Sequence, residues 1–213
     1  MIRWVILLVP AYLIGAIPTG FLWARLLGRV DVREHGSGRT GATNVWRLAG
    51  TASGLLTAAT DALKGALVVW LAKRLGYGPW ETALAGTAAV LGHNYSVYLR
   101  FKGGAGTMIS FGIAAMLWPK TLLILGGSGV LAMALFGHAS VGSVLVAILL
   151  PLCFAVGGMW PYALGFGLPV AFLTLWALRP NIGRLLRGEE RFLPIYRRRR
   201  PPICISRHPS KSP

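Results

Sequence analysis

Long apolar stretches separated by short polar turns make up most of this chain. They run from about Trp4 to Trp23, Ser53 to Leu71, Thr82 to Leu99, Thr121 to Phe136, Val141 to Gly157 and Tyr162 to Leu178, with a shorter piece from Met108 to Leu117. Crossing the hydrocarbon core of a bilayer takes roughly 20 apolar residues in a helix. Between Thr121 and Leu178, 58 residues pass without one charged side chain, which no soluble core requires. The pattern predicts an all-α, polytopic membrane protein of about seven transmembrane helices; six spans plus a re-entrant segment fit it as well. The first run is long for the apolar part of a secretory leader and lacks a small-x-small cleavage site, so it reads as a span. It carries Pro10, Gly15 and Pro18, whose freed backbone groups neighbouring helices must satisfy. Gly126, Gly127, Gly129, Gly157, Gly158, Gly165 and Gly167 suit close helix packing.

The polar intervals are of two kinds. Lys73 and Arg74 mark a short turn after the second span. Two others are dense in glycine and small polar residues: the loop within Arg25 to Arg47, with His35-Gly36-Ser37-Gly38-Arg39-Thr40-Gly41-Ala42-Thr43-Asn44, and the turn Phe101-Lys102-Gly103-Gly104-Ala105-Gly106-Thr107. Glycines free the backbone to take φ > 0, so that successive N–H groups can converge on an anion. Hydroxyls at Ser37 and Thr43 and the forked Arg47 add donors of the right type. The blander reading of both is a flexible linker touching lipid phosphate. Asp61 and Lys64, three residues apart on one helix face, read first as a buried ion pair, and His93 near a span end as an orienting hydrogen-bond partner.

Charge alters the picture only through its placement. The formal net charge is +16 with 22 Lys and Arg among 213 residues. Such a balance suggests nucleic acid in a soluble protein, but here ten of these residues lie between Arg179 and Lys211, five between Arg25 and Arg47, and two are Arg100 and Lys102. All three regions fall on one side if the spans alternate from an outside N-terminus to a cytoplasmic C-terminus. The charge therefore reports topology and anionic lipid, not nucleic acid. Residues 1–190 read as one integral membrane domain and 191–213 as a basic, disordered cytoplasmic tail.

Scarcity excludes several chemistries. The chain holds six carboxylates, Asp31, Glu34, Asp61, Glu81, Glu189 and Glu190, and four scattered histidines. Neither a paired-carboxylate glycosidase nor a zinc site fits those spacings, and there is no nucleophile elbow or complete Walker motif. Cys153 and Cys204 sit in settings too different for a disulfide. What remains is an anion site beside apolar spans, suited to a phosphate head with a fatty chain.

Gly36-Ser37-Gly38 with Gly41-Ala42-Thr43-Asn44-Val45, then Asp61-Ala62-Leu63-Lys64-Gly65, Gly92-His93, Phe101-Lys102-Gly103-Gly104, and Asn181-Ile182 with Arg184-Leu185 and Gly188 stand in the order seen in the bacterial acyl-phosphate:glycerol-3-phosphate acyltransferases, the PlsY family, which the chain resembles over about residues 1 to 190. The resemblance implies a multi-pass protein of the bacterial inner membrane, with its motifs cytoplasmic. The reaction it implies moves an acyl group from acyl phosphate to glycerol 3-phosphate, giving lysophosphatidate and phosphate without a cofactor or metal. It also implies Ser37, Arg47 and Asn181 as catalytic or substrate-orienting residues. Lys102, Gly103, Gly104, Gly106, Arg39, Thr43 and Asn44 would bind phosphate, supported by His93, Asp61, Lys64 and Glu190. The chain departs from the family pattern at three places: Ala105 stands where a loop lysine is usual, Arg39 where asparagine is usual, and Leu178 where a histidine precedes the Asn181 position. One cation lost and one gained predict a swap, Arg39 serving in place of the loop lysine. The other readings that these residues leave open are a non-catalytic relative that binds glycerol phosphate or lipid phosphate, and an organic-phosphate transporter.

Overall fold

A computed structural model describes residues 2–199, whose regular structure is all helical, with no strand among the described residues. Of the tail expected to be disordered over 191–213, residues 200–213 lie outside the described residues, whereas the part just after Glu190 packs back on the helices. There Leu193 is buried, with its N–H on the Gly137 carbonyl at 2.8 Å, and the Tyr196 hydroxyl donates to the Ala134 carbonyl at 2.7 Å. The helices are α1 (Ile2–Ala16), α2 (Thr19–Gly28), α3 (Ala42–Ala49), α4 (Thr51–Arg74), α5 (Pro79–Asn94), α6 (Thr107–Leu117), α7 (Gly127–Phe136), α8 (Ala139–Val156), α9 (Trp160–Tyr162) and α10 (Leu168–Leu186). A π turn, Leu122–Gly126, leads into α7, and a second, Ala163–Gly167, joins α9 to α10. Four segments are long and apolar enough to cross a bilayer: Ile2–Gly28, Thr51–Arg74, Ala139–Val156 and Trp160–Leu186. The apolar α6 and the stretch Leu122–Phe136 are shorter.

The boundaries differ from the sequence reading in three informative places. The first run is two helices, broken at Ile17-Pro18, because proline supplies no N–H to continue the ladder. The Ile17 carbonyl at that break accepts from the Thr19 N–H and from Lys64 Nζ, both at 2.9 Å, so its two lone pairs are taken up within the protein. The third span starts earlier and ends earlier than expected: Pro79 opens α5 with the Glu81 carboxylate accepting from the Gly78 N–H at 2.7 Å. After Asn94 the chain turns, pinned by the Ser96 hydroxyl on the Ala16 carbonyl at 2.6 Å. Finally, α10 does not stop at Leu178 but continues through Pro180 to Leu186, carrying Asn181 and Arg184 on a helix instead of a loop.

Packing is inside out relative to a soluble protein. Large apolar side chains such as Leu63, Leu123, Leu131, Leu135, Val156 and Phe172 face outward, and the interior is built from alanine, valine and glycine around Phe154, Phe166, Ile109 and Ile113. Two reciprocal glycine crossings set the helix spacing. A methyl on Gly15 would lie 2.0 Å from the Ala89 carbonyl oxygen and one on Gly92 2.1 Å from that of Tyr12, which locks α1 on α5. Gly65 and Gly112 do the same for α4 and α6, against Ile109 and Ala62.

Candidate functional site

Three polar segments meet where the helices leave the apolar zone: the loop between α2 and α3, the glycine turn before α6, and the end of α10 with the chain that follows it.

The first loop is folded around Asn44. This buried amide accepts from the Ser37 N–H at 3.1 Å and donates towards the carbonyls of Val32, His35 and Arg39 at 3.2, 3.3 and 2.9 Å. Asn44 thus has its polar atoms turned into its own loop, which makes it a builder of the site more than a ligand for phosphate. Asp31 closes the loop's start by accepting from Arg33 Nη2 at 2.7 Å, and the Arg33 hydrogen bond holds the Asp31 carboxyl down at about 2. The hydroxyls of Ser37 and Thr43 have no hydrogen-bond partner among the described residues, and both residues line the central cavity.

The glycine turn is drawn onto α5. The Gly104 N–H donates to the His93 carbonyl at 3.1 Å and the Gly103 carbonyl accepts from the Thr40 N–H at 3.4 Å. A methyl on Gly104 would sit 2.1 Å from His93 Nε2, so glycine is the residue that fits. The expected convergence of N–H groups is displaced along the chain. The N–H groups of Phe101, Lys102 and Gly104 are spent on the carbonyls of Ser96, Leu99 and His93. Those of Ala105, Gly106, Thr107 and Met108 have no protein acceptor among the described residues, and all four residues line the cavity. They run from the end of the turn into the first residues of α6, whose N-terminus carries partial positive charge. Thr107 Oγ1 is buried there without a partner. Thr107 was missed as a site residue in the sequence reading; a glycine followed by a threonine ahead of an apolar run is the signal that would have found it.

Arg39 joins all three segments, Nη1 donating to the Gly104 carbonyl at 2.9 Å and Nη2 to the Ala177 carbonyl of α10. Burial lowers the pKa of this guanidinium, and it nonetheless stays charged at neutral pH. On α10, Asn181 donates to Glu190 Oε1 at 3.0 Å while Arg184 Nε donates to Oε2 at 2.9 Å. Glu190 is buried, so it anchors the strap that follows α10. Arg47 donates from Nη2 to the Arg191 carbonyl at 3.2 Å, tying α3 to the same strap. His138 contributes a ring contact with Phe192, centroids 4.4 Å apart.

These groups surround a cavity of about 320 Å3 with two unlike ends. Ser37, Arg39, Thr43, Arg47, Asn181 and Glu190 form the polar end, continuous with the α6 N-terminus; Met108, Phe111, Leu125, Val130, Met133 and Val146 form an apolar arm. Gly126 and Gly129, which the sequence assigned to packing alone, also floor that arm. A second cavity of about 290 Å3 is polar, lined by Ser37, Arg39, Lys102, Gly103, Asn181 and Arg184 among others. Lys102 and Gly103 therefore face this second space, Gly104 lines neither, and Ser37, Arg39 and Asn181 stand in the partition. Asp61 and His93 reach the first cavity from behind the glycine turn, whereas Lys64 does not line it. Lys64 pairs with Asp61 at 2.8 Å. Among the described residues no three His, Cys, Asp or Glu side chains gather as a metal centre would need.

Fold and cavity together define a helical integral membrane protein built around an amphiphilic pocket, one end receptive to an anion and the other to an alkyl chain. The sequence matches the family model described as Glycerol-3-phosphate acyltransferase over residues 5–188, and the chain belongs to that family. It is 42% identical to the glycerol-3-phosphate acyltransferase of Desulforudis audaxviator over 181 residues, covering 84% of this chain and 90% of that protein. It is 41% identical to glycerol-3-phosphate acyltransferase 2 of Moorella thermoacetica, covering 88% and 96%. Its fold matches the crystal structure of PlsY (YgiH), an integral membrane glycerol 3-phosphate acyltransferase. For the glycerol 3-phosphate form the TM-score is 0.84 at 33% identity, covering 90% of this chain and 96% of the other. For the lysophosphatidic acid form the TM-score is 0.81.

Proposed function

We propose that the protein transfers a fatty acyl group from acyl phosphate to glycerol 3-phosphate, producing lysophosphatidate and phosphate for phospholipid synthesis. The observation that carries this reading is the two-ended cavity. The α6 N-terminus receives the phosphate of the acyl donor, and its chain lies along Met108, Phe111, Leu125 and Met133. Glycerol 3-phosphate, small and without a tail, enters from the polar cavity beside Lys102 and Arg184. Ser37, Arg39 and Asn181 line both spaces, so the glycerol hydroxyl meets the acyl carbonyl among them. The hydroxyl oxygen bonds to the carbonyl carbon, the carbon–oxygen bond to phosphate breaks, and in net balance the hydroxyl proton leaves with the released phosphate. Asp61 and Glu190 are committed to Lys64 and to Asn181 with Arg184, which leaves neither carboxylate free to act as base. Acyl phosphate is an activated mixed anhydride, so orientation and charge stabilisation by Ser37, Arg47 and Asn181 suffice and no cofactor takes part.

In the same reading residues 1–190 form one domain of seven spans in the bacterial inner membrane, with the N-terminus outside and the site and C-terminus cytoplasmic. The clustering of Arg39, Arg47, Lys102 and Arg184 around the polar end supports that orientation. Purified protein in detergent, given acyl phosphate and glycerol 3-phosphate, should release phosphate and form lysophosphatidate, and Ser37→Ala and Arg47→Ala should each abolish this. Binding of glycerol 3-phosphate without turnover by the parent protein would replace the enzyme reading with that of a non-catalytic relative.

A further inference from the structure

Behind the glycine turn lies a closed set of three buried ionisable side chains. Lys64 Nζ has three hydrogens and three acceptors within reach: the Ile17 carbonyl at 2.9 Å, Asp61 Oδ1 at 2.8 Å and His93 Nδ1 at 3.1 Å. Asp61 Oδ1 also accepts from the Thr19 hydroxyl at 2.5 Å. One ammonium balances one carboxylate, and both are buried with His93. His93 Nδ1 also stands 3.5 Å from Asp61 Oδ1, a longer contact than its 3.1 Å to Lys64 Nζ. An ammonium only donates, so the shorter contact makes Nδ1 the lone-pair acceptor and puts the single imidazole proton on Nε2. His93 Nε2 has no hydrogen-bond partner among the described residues, abuts Gly104, and belongs to a residue lining the amphiphilic cavity. A donor is thereby set in the cavity wall next to the unspent N–H groups that open α6.

We infer that His93 is a further binding group of this site, donating Nε2–H to the anion received at the glycine turn, and that Lys64 is the positioning residue which fixes the donating tautomer. This deepens the acyl-phosphate reading and rests on its placement of the phosphate. Asp61 then holds the ammonium, and the break in the first span supplies the carbonyl that orients it. A proline in an early span is thus linked mechanically to a hydrogen bond at the phosphate.

The test uses the full chain labelled with 15N-histidine in detergent, the His93 resonances assigned by their loss in His93→Gln. The expected spectrum has the proton on Nε2, moves at that nitrogen when inorganic phosphate is added to saturation, and shifts towards the other tautomer in Lys64→Met. Acyl transfer supplies a second readout. One hydrogen bond to a charged group contributes about 1.5–3 kcal/mol, so His93→Ala should lose about 10- to 150-fold in kcat/KM for acyl phosphate. His93→Gln, which retains an N–H near the position of Nε2, should keep most of it. A purely structural histidine would show no such rescue. A proton on Nδ1, or an Nε2 unmoved by saturating phosphate, overturns the inference whatever the turnover. A chain in which phosphate moves Nε2 but no acyl transfer occurs overturns the acyltransferase reading and leaves this one standing.

Discussion

Arg39 offers the most informative single perturbation, because one guanidinium bridges the first loop, the glycine turn and α10. Replacing it with asparagine, the usual family residue, removes the donors to the Gly104 and Ala177 carbonyls. It also removes the cation beside residue 105, where this chain has alanine in place of the usual lysine. A unit charge about 4 Å from a phosphate oxygen contributes about 4 kcal/mol at an effective dielectric near 20, and less where water enters. Taking about 2–4 kcal/mol for the transition state, Arg39→Asn should lower kcat/KM for acyl phosphate by about 30- to 1000-fold. Ala105→Lys alone places two cations at one site and should gain little. The double variant should recover at least tenfold over Arg39→Asn, since the lysine restores the charge although not the two backbone contacts. The assay is lysophosphatidate formation in detergent across a range of acyl phosphate, with melting temperature recorded so that loss of folding is separated from loss of charge. Full activity in Arg39→Asn, or no recovery in the double variant, would refute the exchange.

Three other outcomes follow from contacts already described. Asn44→Ala leaves the Ser37 N–H and the Arg39 carbonyl without their partner; at about 2–4 kcal/mol in total it should lower Tm by about 4–16 °C and raise KM for glycerol 3-phosphate. Gly15→Val should abolish the yield of monodisperse protein on size exclusion, because its Cβ falls 2.0 Å from the Ala89 carbonyl, while Gly127→Ala, with nothing within 4 Å, should be silent. The folded Asp31 carboxyl titrates at about 2 against an ordinary 3.8, so its ion pair with Arg33 adds stability above the ordinary value that is lost as pH falls through the folded one. The Tm deficit of Asp31→Asn should accordingly be full at pH 6–7 and narrow progressively below about pH 4.

The helical class and the four long apolar segments were legible because hydropathy integrates over some twenty residues and tolerates local breaks, which is also why it blurred their ends. Ile17-Pro18 splits the first run without changing its mean hydropathy, and the continuation of α10 past Leu178 is hidden by Pro180 and by the charge of Arg179 and Arg184. Proline in a helix signals a missing N–H, but neighbours decide whether the helix ends there. At Ile17 the carbonyl takes Lys64 as a second donor beside the Thr19 N–H, and no local window contains both Ile17 and Lys64.

For the site, residue type was legible and assignment was not. The motifs named the residues that gather, since Ser37, Arg39, Thr43, Arg47 and Asn181 all line one cavity. Their hydrogen bonds follow a different logic. A glycine-rich turn advertises free N–H groups, yet the Gly104 N–H is consumed by the His93 carbonyl, and the open ones on the cavity run from Ala105 at the end of the turn to Met108 in α6. An asparagine among small residues looks like a ligand, yet a buried amide must satisfy four hydrogen-bonding positions, and only the folded loop around Asn44 supplies them. Glycine content thus marks where the backbone can bend, while the satisfaction of buried polar groups decides which donors are left for a substrate. In this chain that condition leaves the N–H groups of Ala105, Gly106, Thr107 and Met108 open on the amphiphilic cavity with His93 beside them, while Lys102 and Gly103 face the polar one.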